Sequence, residues 1–113
     1  MKKSSGRLAV EASNMRIVRH PDLASDVKEV AEHYADVSEK ILNAFWTELD
    51  SILDSTKRNP RKHHYDSCGL RRTNFKKYPY HLLYDVADDH VLLVVLRHDL
   101  RHPSYGLERI KES

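Results

Sequence analysis

The spacing of apolar residues changes at Gly69: before it they recur every three or four positions, after it every second position. A chain patterned in this way places helices first and strands after, and the helices must cover the sheet. Leu23, Val27, Val30, Ala31 and Tyr34 make one helical stripe, with Asp22 and Ser25 suited to its first turn. A break over residues 35–37 leads to Ser38, an N-cap with Glu39 just inside, and to a second stripe of Ile41, Leu42, Phe45, Leu49, Ile52 and Leu53. Asn59 and Pro60 stop that helix, because proline cannot continue the hydrogen-bond ladder and disfavours helical geometry in the residue before it. The two stripes predict a helical hairpin.

Beyond Gly69 the alternation predicts strands over residues 70–75, 80–86 and 91–98, the last two joined by a short turn containing Asp88 and Asp89. The connections are too short for a helical crossover, so these strands should run antiparallel. Tyr80, Leu82, Tyr84 and Val86 share one face of the middle strand, whereas the last strand is apolar on both faces and should be central. Residues 15–18, MRIV, read as a further short strand. The expected fold is α+β, with an N-terminal strand and a two-helix hairpin packed on one face of a three- to four-stranded antiparallel sheet. The opposite face is expected to stay open.

A length of 113 residues predicts one domain, assigned to residues 15–113. Residues 1–14 are polar and aperiodic and read as a disordered or non-native N-terminal arm, with Met15 an alternative start. The longest apolar run, residues 91–96, is far below the ~20 residues that span a bilayer, so the expectation is a cytoplasmic protein without membrane contact. The single Cys68 excludes an internal disulfide framework and a multi-cysteine metal site.

Charge is divided unevenly. Residues 1–56 carry 7 basic and 10 acidic side chains, residues 57–113 carry 12 and 7, and six of the eight histidines lie in the second part. Arg61, Lys62, Arg71, Lys76 and Lys77 belong to a basic concentration with only Asp66 against it, which suits phosphates or an acidic partner, or else a solvated loop. His98 and His102 have the spacing of a zinc-peptidase motif, but the segment follows a strand and meets Pro103, so no ligand-bearing helix is expected and no metal is assigned. With glycine only at positions 6, 69 and 106 there is no glycine-rich phosphate loop, and no cofactor is expected.

The pieces LRR, KKYPYHLLYDV and VLLVVLRHDLRHPSYGLER, preceded by MRIV, AFWTELDSI and NPRK in that order, resemble toxins of the RelE/ParE superfamily of bacterial type II toxin–antitoxin systems. The resemblance covers about residues 15–110 and implies a helical hairpin on an antiparallel sheet. It also implies a growth-arresting toxin that forms a hetero-oligomer with a cognate antitoxin. RelE-like members cut messenger RNA on the ribosome without a metal, whereas ParE-like members poison DNA gyrase without catalysis. A member that only binds its antitoxin is the third reading.

Under the RelE-like reading, Arg72, Arg97 and Arg101 hold phosphate, one of His81, His98 or His102 moves a proton, and Tyr105 supports the 2′-hydroxyl nucleophile. At His81 many such nucleases place an arginine, Asn74 replaces another basic residue, and Asp99 is an acid beside the expected site. The antitoxin is expected on the exposed face of the hairpin and on Leu92, Val94 and Leu96, or on the opposite set of Val91, Leu93 and Val95.

Overall fold

The computed structural model describes residues 15–111, and the arm assigned to residues 1–14 lies outside them. The elements follow in the order β1 (Arg16–Arg19), α1 (Leu23–Val37), α2 (Glu39–Arg58), β2 (Arg71–Asn74), β3 (Tyr80–Val86), β4 (His90–His98) and α3 (Glu108–Lys111). The hairpin forms as its stripes require. Ser38 is extended, with φ −172° and ψ 148°, and its hydroxyl accepts from the Ile41 N–H at 3.0 Å, which separates α1 from α2.

The sheet has the order β1-β4-β3-β2. β2, β3 and β4 pair antiparallel, as the short connections demanded. β1 departs from that expectation: it lies parallel to β4, Arg16 opposite His90 and Arg19 opposite Leu93, because the whole hairpin intervenes as a crossover. The sheet is therefore mixed, and β4 is central over the part that β1 reaches.

A β-bulge sits between β3 and β4. Leu83 pairs with Val95 and Tyr84 with Leu93, so Val94 is an extra residue that reverses the alternation of β4. Val91, Leu93 and Leu96 consequently join the core beneath the helices, with Phe45, Leu49, Leu82 and Tyr84. Val94 and Val95 join a second core on the other face, with Leu70 and Leu83. That face is not open. Cys68, Tyr105 and Leu107 pack on it from the loop before β2 and from the C-terminal segment.

Phe45 and Phe75 stack with centroids 5.5 Å apart at 5° between the first core's helix and sheet layers. Tyr84 is fully buried, its hydroxyl donates to the Pro60 carbonyl at 2.7 Å, and burial pushes its pKa up to about 12. This bond ties the end of the hairpin to the middle of the sheet.

Candidate functional site

The six candidate catalytic residues separate into two environments, because Arg97 and His98, adjacent on β4, face opposite sides of the sheet. Arg72 and His81 project from β2 and β3 onto the second face of the sheet, and Arg97 joins them from β4. Asp66 approaches from the loop before β2 and Asp99 from the turn after β4. Arg72 donates to Asp66 Oδ1 at 3.1 Å and to Asn74 Oδ1 at 2.9 Å, and its second guanidinium nitrogen lies 3.7 Å from Asp99 Oδ1. Arg97, buried at 4% exposure, donates from Nε to His81 Nε2 at 2.9 Å and from Nη1 to the Pro103 carbonyl at 2.5 Å, and its Nη2 lies 3.7 Å from Asp66 Oδ2.

This network fixes the state of His81. Nε2 accepts from arginine, so the ring proton sits on Nδ1 and is donated to Asp99 Oδ1 at 2.8 Å. Burial lowers the imidazole pKa, with Arg72 and Arg97 acting in the same direction against the Asp99 hydrogen bond. Burial alone would raise the Asp66 carboxyl, but hydrogen bonds from Cys68 and Arg72 outweigh it and hold it below its ordinary value. Two guanidiniums, two carboxylates and a neutral imidazole balance in charge, and both His81 nitrogens are engaged.

The second environment is a cleft of about 390 Å³ between α1 and the turn after β4, lined by His33, Tyr80, His98, Arg101 and Tyr105 among others. His98 lies edge-on to Tyr80, centroids 5.0 Å apart, and its Nδ1 accepts from the Leu100 N–H. His102 is similarly turned onto Ser104, so the segment containing both histidines is a turn rather than a helix. Arg101 is exposed and lies 4.0 Å above the Tyr105 ring. The Tyr105 hydroxyl donates to Asp26 Oδ1 at 2.8 Å, and burial together with that carboxylate raises its pKa. Its proton is held on the oxygen, and the ring packs the C-terminal segment onto the sheet.

Among solved structures the chain is similar to the "Chromosomal ParDE TA system from P. aeruginosa", with a TM-score of 0.64 at 14% identity, covering 76% of this chain and 97% of that chain. The fold is RelE/ParE-like. No family model matches the chain, and no curated protein matches it.

On this RelE/ParE-like frame the basic stretch divides too. Lys62, Lys76 and Lys77 border one groove of about 590 Å³ against the Thr47, Ser51 and Ser55 hydroxyls of α2. Arg71 instead turns inward, donating to the Arg61 and His63 carbonyls and to the Tyr65 hydroxyl. Arg61 rests against the Met15 sulfur at 4.0 Å.

The candidate antitoxin residues Leu92, Val94 and Leu96 do not lie on one face of the sheet. The bulge sends Leu96 to the helix side and Val94 to the other, both almost fully buried, while Leu92 is half-buried against the second core. The opposite set of Val91, Leu93 and Val95 is split and buried in the same way.

Two residues of consequence escaped the reading of the letters. Asp26 is 3% exposed and pairs with Arg109 at 2.7 Å. Its signal was present: Asp26 lies three residues after Leu23 and four before Val30, a carboxylate on the apolar stripe.

Proposed function

We propose that the chain is the toxin of a toxin–antitoxin pair, held inactive in a hetero-oligomer with its antitoxin, and that it arrests growth by binding a target rather than by cutting RNA. One observation carries the choice: Arg72, Arg97, His81 and Tyr105, the groups a RelE-like nuclease would need to hold phosphate and move protons, are already committed to Asp66, Asp99 and Asp26. A guanidinium balanced by a buried carboxylate offers little to phosphate, and a phenol donating to a carboxylate is not a base. The target that the resemblance implies for such a member is DNA gyrase, which places the toxin in the cytoplasm.

The antitoxin then docks in the apolar groove of about 820 Å³ between α1 and α2. Ala24, Ala31 and Ala35 leave room on the α1 side, Trp46 stands at the α2 rim, and Leu93 and Leu96 contribute to the floor. Small residues facing large ones over an apolar floor suit an amphipathic helix.

Messenger RNA cleavage on the ribosome is the second reading, favoured by the exposure of Arg101 beside His98 in the α1 cleft. Induction without antitoxin, with parallel mapping of messenger RNA 5′ ends and gyrase-linked DNA breaks, separates the readings. DNA breaks with intact messages support the binding toxin. New RNA ends within reading frames, lost in Arg101→Ala, overturn it in favour of the nuclease, and normal growth leaves a protein that only binds its antitoxin.

A further inference from the structure

β1 pairs with residues 90–93 of β4 and goes no further; the last contact on that side is the His20 N–H to the Leu93 carbonyl at 2.9 Å. The remaining half of this edge, in the middle of an apolar strand, would carry unpaired backbone groups, a template for unwanted strand pairing. Side chains take them up instead. The Leu96 N–H donates to Asp26 Oδ2 at 3.1 Å, and the Val94 carbonyl accepts from Arg109 Nη1 at 2.9 Å. Asp26 and Arg109 are joined to each other at 2.7 and 3.1 Å, and Tyr105 adds its hydroxyl to the same carboxylate.

Arg109 and Tyr105 both arrive on the C-terminal segment, whose backbone bonds are local: Tyr105 to His102, Leu107 to Ser104, Arg109 to Gly106 and Ile110 to Leu107. The segment meets the sheet through side chains and through one close backbone approach. At Gly106, φ is +86° and an added Cβ would stand 2.7 Å from Val95 Cγ2, so only glycine brings the turn flush with the second core.

We propose that residues 105–110 form a latch that closes the uncovered half of the β4 edge, with the Asp26–Arg109 pair standing where a further strand would lie. The latch opens as a unit without disturbing the pairing of β2, β3 and β4, because its anchors are side-chain bonds and a single flush turn. Opening it frees the Val94 carbonyl and strips Arg109 and Tyr105 from the Asp26 carboxylate, which then holds the Leu96 N–H alone and open to solvent.

Native-state hydrogen exchange on the full chain tests this. The Leu96 amide should exchange with those of residues 105–110 in one event, ~10²-fold faster than the Leu82 and Leu83 amides, which need global unfolding. Gly106→Ala should accelerate Leu96 at least ~10-fold further and leave Leu82 and Leu83 unchanged. A Leu96 amide that exchanges at the Leu82 rate in the unaltered chain overturns the latch. So does a Gly106→Ala variant in which all these amides accelerate equally. Should that variant fail to fold, the measurement on the unaltered chain decides alone.

Discussion

His81 Nε2 accepts a hydrogen bond from Arg97 Nε at 2.9 Å, across the β3–β4 ladder where the two residues are register partners. A histidine that receives a proton donor from arginine cannot itself be protonated there without breaking the bond. Stability should therefore depend on pH in a defined direction.

The folded His81 pKa lies below the ordinary value of 6.5, so between the two values the unfolded chain binds a proton that the folded chain refuses. Its contribution is complete above pH 6.5 and is lost as pH falls through that window; His63, also lowered chiefly by burial, acts with the same sign. Asp66, held below 3.8, adds a further loss in stronger acid. Urea midpoints should fall from pH 7 to pH 5, and His81→Gln should flatten that decline. A midpoint constant over this range in the unaltered protein would contradict the assignment.

Arg97 and Arg101, four residues apart, should behave as opposites. Arg97→Met leaves Asp66 and His81 without their buried partner and should cost about 3 kcal/mol in urea unfolding. Arg101→Ala removes an exposed cation from the Tyr105 ring and should cost less than about 1 kcal/mol. Arg101→Ala is accordingly the cleaner probe of the proposed toxicity, since a lost phenotype there cannot be ascribed to unfolding.

Ser38→Ala should destabilise the protein by about 1 kcal/mol, because the Ile41 N–H then opens α2 without a side-chain acceptor. Thermal denaturation of the variant beside Ser38→Asp, which restores an acceptor, measures the cap separately from the volume change.

Trp46 is 38% exposed at the rim of the α1–α2 groove. On the proposed function, Trp46→Glu should weaken antitoxin binding by at least ~10-fold in calorimetry while leaving the urea midpoint of the free protein nearly unchanged. Unaltered affinity would move the antitoxin elsewhere on the surface.

Local features were legible in the letters. The bounds of β3, the Ser38 cap and the helix stop near Asn59 each depend on residues close in sequence, and the structure has all three. The parallel β1–β4 pairing was hidden because it joins residues more than 70 positions apart, and the four-residue α3 is too short to carry a stripe. The bulge was invisible for a different reason: in an unbroken run of Val and Leu, either face reads as apolar whatever the phase.

The candidate site was legible as a set of residue types but not as a set of states. His81 and Tyr105 have the chemistry of proton carriers in sequence, and burial beside Arg97 and Asp26 removes that freedom. Asp66 stood out only as the one acid among basic neighbours, yet it is the residue on which Arg72 and Arg97 both converge.

Val94 has a consequence for how this strand tolerates changes in length. Within residues 91–98 it is the one residue without an opposite number on β3, so its deletion would straighten the strand while leaving Leu93 and Leu96 beneath the helices and Arg97 beside His81. Adding a residue between Leu96 and Arg97 would do the reverse, carrying Arg97 under the helices and His98 toward Asp66. The separation of the neutralised arginine cluster from the accessible cleft is thus a matter of reading frame along one strand, kept by the register that sets Arg97 opposite His81 and His98 opposite Tyr80.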